Sequence, residues 1–358
     1  MKERAVITLP LSPLKSYEFA RLVTPVIGET ISKQIGANFY LAINLLDSFK
    51  DREDYFSFYS KNINTHKIAY KEIWRDVAHV DDLIENINKL IKMGYIYEKE
   101  VMMYRCNCGI IEIDSTNINT CNPNKTLYYR KNNSIFCSKC GDICRLYKEK
   151  TLIFDSSKID KLDLQFFPYY LNKDIKTFIN IFKSSYTIIS RKRNTGVGIR
   201  VNGKIYNIDI DFLWEVYLSL FTEQEKVVLC GNKELYQLFM VGMLERCLNK
   251  NASTIFIGTP IINGINNYNF DVSDDEDIIT KKLSIILNLK WNVKQRNVDV
   301  DIINKLRRMP FDKKNQIYNI ICGNNNNQVL LDALDYILNY QFNNQIVMKK
   351  VKELRKNV

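Results

Sequence analysis

The sequence predicts an α/β protein: a parallel sheet in two halves, split by a cysteine-rich insert and followed by a C-terminal helical region. Three observations carry this expectation. A strand, helix, strand unit lies between Ala5 and Asp47, and a second lies between Val227 and Gly258. Between them, six of the nine cysteines crowd into Cys106 to Cys144. Strands alternating with helices favour a parallel sheet, because a parallel crossover needs a connection about as long as a helix. The expected divisions are 1–101 for the first half, 102–162 for the insert, 163–270 for the second half and 271–358 for the helical region.

Ala5-Val-Ile-Thr-Leu9 is a short apolar run closed by Pro10 and Pro13, which predicts a strand running into a rigid loop. Phe19, Leu22, Val23, Val26, Ile27 and Ile31 recur at helical spacing, with a kink expected at Pro25 and a stop at Gly36. Asn38 to Leu46 reads as the second strand, with Asp47 at its carboxyl end. Leu83, Ile84, Ile87, Leu90 and Ile91 share one face of a helix over Asp81 to Met93, which Gly94 ends. Tyr95 to Tyr97 and Val101 to Tyr104 predict a strand or hairpin leading into the cysteines. Lys183 to Tyr206 then alternates basic and β-favouring residues, and a helix over Glu234 to Leu248 joins the strands Val227–Gly231 and Ile255–Gly258. Asp271 to Asp277 is an acidic run suited to the positive end of a helix. The remainder, through Asn324–Asn327 to the basic Met348–Lys356, reads as helical and polar.

Composition narrows the function classes. At 358 residues and 46% hydrophobic content the chain can bury a sizeable core. Lys+Arg at 51 against 40 acidic residues gives +11, which suits a polyanionic partner such as RNA. The N-terminal run reads as a strand rather than a signal peptide, and no apolar stretch approaches the roughly 20 residues that span a bilayer. A soluble cytoplasmic protein with no membrane partner is therefore expected. The two histidines, His66 and His79, exclude histidine-rich metal sites.

The strongest chemical signal is Cys106-Asn-Cys108-Gly109 together with Cys137-Ser-Lys-Cys140-Gly141. Two close cysteine pairs, each followed by glycine, let tight turns aim backbone amides at sulfur and close a tetrahedral four-thiolate site. Such a zinc site is structural, since four sulfurs leave no open position for water. Buried free thiols are the alternative. Cys121 and Cys144 lack a paired neighbour and stand as spectators, while Cys230, Cys247 and Cys322 have the apolar surroundings of core residues.

The proline-rich loop and helix followed by Asn38-Phe-Tyr-Leu-Ala-Ile-Asn-Leu-Leu-Asp47 resemble the opening Rossmann half of class I aminoacyl-tRNA synthetases. Arg75 to Tyr97 resembles the segment that leads the cysteinyl, methionyl and leucyl types into their connective insert. The cysteines from Cys106 to Cys140 stand where the methionyl type carries its zinc. Ile189 to Ile199, and Tyr206 to Leu218 with Trp214, are similar to the stretch that re-enters the second half. The resemblance spans residues 4 to 270 and implies a Rossmann-like fold with ATP and tRNA as ligands.

Departures from the family pattern qualify that implication. The His-x-Gly-His signature that holds ATP phosphates is replaced by Lys15-Ser-Tyr-Glu-Phe19. Where a Lys-Met-Ser-Lys-Ser loop is expected, Pro260 to Phe270 contains no lysine, so pyrophosphate charge lacks a preorganised partner there. The family's Gly-x-Asp becomes Gly231-Asn-Lys233, reversing a charge. These losses place ATP in doubt and predict a paralogue that binds tRNA or another RNA, an amino-acid-derived small molecule or a protein, without ATP-dependent amino-acid activation. A noncanonical aminoacyl transferase similar to cyclodipeptide synthases, and a divergent synthetase, are the alternatives.

Each remaining candidate has two readings. Ser12 is a nucleophile for acyl transfer or a turn residue between prolines. Lys15 binds a phosphate or is solvated, and Asn44 and Asp47 contact a ligand or, for Asp47, cap a helix. Gly231 and Lys233 complete the candidate ligand pocket. Arg191, Lys192 and Arg193 contact RNA or lie on an exposed strand, and Lys349, Lys350, Lys352, Arg355 and Lys356 track an RNA backbone or form a solvated helix face. His79 is an acid-base group or a capping or packing residue.

Overall fold

The computed structural model of the chain describes residues 4–8, 19–46, 52–108, 112–114, 128–159, 164–168, 171–182, 186–191, 196–221, 225–248, 253–268, 270–271, 273–289 and 295–322. The first elements are β1 (Arg4–Thr8), α1 (Val23–Ile35), β2 (Asn38–Ile43), α2 (Arg52–Thr65), β3 (Glu72–Arg75) and α3 (Val80–Lys92). Next come β4 (Ile96–Arg105), β5 (Glu112–Asp114), β6 (Tyr128–Lys131), β7 (Ser134–Cys137) and β8 (Arg145–Asp155). They are followed by β9 (Gln165–Phe167), α4 (Asn172–Phe182), β10 (Tyr186–Ile188), β11 (Ser190–Arg191), β12 (Gly198–Val201) and β13 (Lys204–Ile208). After α5 (Ile210–Leu220) comes a second strand-helix-strand unit of β14 (Glu225–Gly231), α6 (Leu235–Cys247) and β15 (Ser253–Thr259). Finally come β16 (Ile261–Asn263), α7 (Asp275–Asn288), β17 (Gln295–Asn297), α8 (Val300–Arg308) and α9 (Phe311–Cys322).

A six-stranded parallel sheet in the order β3-β2-β1-β14-β15-β9 forms the centre. The chain moves outward from β1 to β2 and β3, then outward in the opposite direction from β14 to β15. β1 and β14 therefore flank a topological switch point, the place where open α/β sheets bind ligands. The period of two is visible in the burial. Ala5, Ile7, Tyr40, Ala42, Val228, Cys230 and Phe256 pack on one face with residues of α3, α5 and α6. Val6, Phe39, Leu41, Val227, Leu229, Ile255 and Ile257 pack on the other with residues of α1, α7 and α9. Each such fully buried aliphatic or aromatic side chain contributes about 1.5–3 kcal/mol, so helices on both faces are what make the continuous apolar strands affordable.

Local chemistry places the helix ends. Gly36 caps α1 in the left-handed region at φ 62 and donates its amide to Ser32 O. Inside α1, a Cβ on Gly28 would meet the Phe39 ring at 2.3 Å, so only glycine lets this helix lie so close to β2. The expected kink at Pro25 is not formed. α1 begins at Val23, so Pro25 sits in the first turn, where a missing N–H breaks no helical hydrogen bond. α7 starts as expected from the acidic run, with the Asp274 carboxylate accepting from the Glu276 amide.

Of the strand or hairpin expected over Tyr95 to Tyr104 a single strand is formed, β4, paired antiparallel with β8 over Ile96↔Phe154 to Arg105↔Arg145. One further expectation changes. The region beyond Phe270 is not wholly helical, because β17 returns to pair in parallel with β16. Main-chain pairing that joins residues so far apart leaves no mark in local periodicity.

Candidate metal centre and carboxyl edge of the sheet

Cys106 follows the last residue of β4 and Cys108 lies in the next turn; Cys137 ends β7 and Cys140 lies in the turn after it. The β6–β7 hairpin is closed by Asn132-Asn133, both at positive φ (48 and 60), the conformation of a two-residue turn suited to strand twist. This hairpin brings the second cysteine pair onto the first. The Sγ atoms of Cys106 and Cys140 are 3.1 Å apart, those of Cys106 and Cys108 3.3 Å, and those of Cys108 and Cys137 3.6 Å. All four lie within 4.8 Å of one another, a group able to hold a metal ion. Sulfurs at about 2.3 Å from a tetrahedral zinc are about 3.8 Å apart, so the donor set fits with only small adjustments.

The knuckle turns polarise these thiols. Burial raises the Cys137 thiol, but the backbone amides of Cys140 and Lys139 donate to its sulfur and bring it down to about 7. Burial pushes Cys106 up, opposed by Cys140 and by the amide of Cys108. Cys140 is raised by its contact with Cys106 while the Asp142 amide opposes the shift. In each pair the first sulfur thus accepts amide hydrogen from its own turn, Cys106 from Cys108 and Cys137 from Lys139 and Cys140. Cys144 is buried beside the quartet, with Tyr128 and Ile135, and its thiol is raised to about 11 chiefly by burial. Cys121 lies outside the described residues. Cys230, Cys247 and Cys322 are buried in the cores.

At the carboxyl edge of the sheet Asn44 follows directly after β2, and Gly231 ends β14 beside Thr259 of β15, with β1 between β2 and β14. Asn44 is buried, and its loop is fixed by a residue the sequence did not single out. The Asp76 carboxylate, only 1% exposed, accepts the amides of Leu45 at 2.9 Å and Leu46 at 3.1 Å. Thr259 donates its hydroxyl to Cys230 O at 3.0 Å and lies 3.3 Å from the Thr24 hydroxyl, tying β15 to β14 and α1. Lys233 lies in a 3-10 turn directly after β14. Ser12, Lys15 and Asp47 lie outside the described residues, as do Lys192, Arg193, Lys349, Lys350, Lys352, Arg355 and Lys356.

Arg191 is placed differently from a solvated cation. Its Nε donates to Asp209 Oδ2 at 2.5 Å, with both side chains nearly buried, so its charge is already matched. His79 packs its ring against Trp74 at 4.6 Å and sets Nδ1 3.2 Å from Asp82. The uncharged stretch after β15 receives a cation from elsewhere: the Arg307 guanidinium of α8 lies 5.0 Å from the Phe270 ring and 5.9 Å from that of Tyr268. No local signal announced that approach, because α8 is remote in sequence.

A parallel sheet with a switch point between β1 and β14, interrupted by an antiparallel insert carrying four clustered cysteines, is a Rossmann-like α/β architecture. The chain is similar in structure to Mycobacterium tuberculosis methionyl-tRNA synthetase bound by methionyl-adenylate, with TM-score 0.65 and 11% identity over 87% of this chain and 70% of that one. A second structure of that synthetase in complex with methionyl-adenylate gives TM-score 0.64 at 10% identity, covering 88% and 70%. Its apo form gives 0.61 at 10% identity, covering 85% and 65%. The sequence matches no protein-family profile and no curated protein. At such identities the likeness is one of fold. Among the described residues no helix is long and apolar enough to cross a membrane.

Proposed function

We propose that this chain is a synthetase-like, tRNA-binding protein that holds a structural zinc ion and has lost standard ATP-dependent amino-acid activation. One contrast carries the reading. The methionyl-type fold is retained at TM-score 0.65, yet Pro260 to Phe270 has no lysine, arginine or histidine and Lys15 to Phe19 lacks the His-x-Gly-His pattern. Catalysis of adenylate formation depends on donors aimed at phosphate charge as it develops. Loss of such donors removes transition-state stabilisation while leaving a binding scaffold intact.

Zinc is proposed for Cys106, Cys108, Cys137 and Cys140 because four converging thiols faced by turn amides are the donor set that ion selects. Bound there, it supplies cross-linking of the insert, not a site for water.

The test is amino-acid-dependent ATP–pyrophosphate exchange with each of the twenty amino acids, beside tRNA binding at low salt. No exchange with retained tRNA binding is the expected result, and robust exchange with any amino acid overturns the loss of activation. Incubation with charged tRNA separates the acyl-transfer alternative, which requires transfer that disappears in Ser12→Ala.

A further inference from the structure

We infer that the outward face of the β6–β7 hairpin is a stacking platform for unpaired RNA, an inference that rests on the RNA-binding reading above and names the surface that performs it. The hairpin has two unlike faces. Tyr128, Ile135 and Cys137 point inward and pack with Cys106 and Cys144 around the cysteine quartet. On the opposite face two strands and one isolated bridge residue contribute one row: Tyr129 pairs across from Phe136, and Phe136 bridges to Ile143. Directly paired residues share a face. The Tyr129 and Phe136 rings are stacked, with centroids 5.3 Å apart and planes 10° from parallel. Tyr129 is nevertheless 45% exposed and Ile143 52% exposed.

An exposed aromatic row offers a contact surface, and the surrounding charge says which kind of occupant fits it. Within Tyr128 to Lys148 the basic residues are Arg130, Lys131, Lys139, Arg145 and Lys148, and the acidic residue is Asp142. Lys148 pairs with Glu100, while Arg130, Lys131, Lys139 and Arg145 are exposed and none is held in an ion pair with a described residue. Lys131 lies two residues from Tyr129 on β6, so its side chain leaves from the aromatic face. Aromatic surface in a segment that carries four exposed cations with no ion-pair partner among the described residues is complementary to bases carried on a phosphate backbone, and it accepts any base because every base has a π-face. Duplex RNA hides its base faces, so the platform suits a single-stranded end or loop. The inner face of the hairpin is anchored through buried Tyr128, Ile135 and Cys137, so stacking does not have to order it first.

The experiment measures binding of a fluorescent single-stranded oligouridylate, a duplex RNA of equal length and tRNA to the zinc-loaded full chain. Variants are Tyr129→Ala, Tyr129→Phe and Lys131→Ala/Lys139→Ala, each checked for zinc content and thermal transition. Tyr129→Ala is expected to weaken the oligouridylate at least about tenfold, as loss of one stacking ring does, whereas Tyr129→Phe binds like the wild type. The double lysine variant is expected to weaken binding and flatten its salt dependence. If tRNA binds but Tyr129→Ala binds both RNAs unchanged, the platform is refuted and the RNA-binding reading stands. If the oligouridylate binds through Tyr129 while tRNA does not, the platform stands and the tRNA reading fails. Equal affinity for duplex and single strand, or a wild-type dimer that Tyr129→Ala makes monomeric without altering RNA affinity, overturns the inference.

Discussion

The Sγ atoms of Cys106 and Cys140 lie 3.1 Å apart although 34 residues separate them in sequence. The fold of the β6–β7 hairpin brings them together, so a metal ion held by the four cysteines would couple its binding to hairpin closure. Protein prepared without chelator should carry about one zinc per chain. Cys137→Ser should lose that metal and lower the thermal transition, since thiolate binding energy is folding energy for a small knuckle. Elemental analysis with calorimetry checks this, and a metal-free wild type with an unaltered transition contradicts it.

A buried ion pair fastens α7 to α1. Lys282 Nζ lies 2.7 Å from Glu29 Oε2, with the two side chains 6% and 1% exposed, and it also donates to Lys67 O at 2.6 Å. Lys282→Ala removes the buried cation and leaves the carboxylate with the half-exposed Lys33 as its ion-pair partner, and should cost about 3 kcal/mol in urea unfolding. Glu29→Gln combined with Lys282→Met removes both charges and should recover much of that loss. Equal stability of the single and wild-type proteins would show that the pair is not formed in solution.

Stability should rise with pH in two windows. Lys281 Nζ is 2.9 Å from His66 Nε2, and His66 Nδ1 is 2.7 Å from Asn62 O, a partner that assigns the ring hydrogen to Nδ1. Burial holds His66 below 6.5, opposed by the Asn62 contact and reinforced by Lys281 and Lys282. A base depressed in the folded state is protonated first in the unfolded chain, so stability is full above 6.5 and falls as pH drops below it. Burial likewise brings Lys281 down to about 8 from 10.5, so the unfolded chain binds more protons between those values and stability rises across them. Urea midpoints from pH 5 to 10 check both. His66→Phe should flatten the acid limb relative to wild type, and Lys281→Met the alkaline one.

The net charge of +11 predicts tRNA affinity that falls steeply with salt. Neutralising Lys349, Lys350, Lys352, Arg355 and Lys356 together should weaken binding and flatten the slope. Arg191 should contribute little, because Asp209 already matches its charge. Filter binding across a salt series tests both statements. Salt-independent binding, or binding that the five substitutions leave unchanged, removes electrostatics along the tail as its cause.

Much of the architecture was legible in the residues alone. Short apolar runs, helical periodicity and the stop at Gly36 identify β1, α1, β2, α3, β14, α6 and β15, because burial on one face imposes a period and chain reversal imposes glycine. The cysteine spacing likewise pointed to one donor set, since ligands to a single ion must return to it. Strand order was decided by the tertiary structure: β9, which precedes β14 in the chain, pairs with the far side of β15. So were the Asp76 clamp on Leu45 and Leu46, the Arg191–Asp209 and Lys282–Glu29 pairs, and the outward row of Tyr129, Phe136 and Ile143. These depend on contacts between residues remote in sequence, whose partners are chosen by where the core places each backbone. Periodicity records which face of an element is buried, and only packing decides against what.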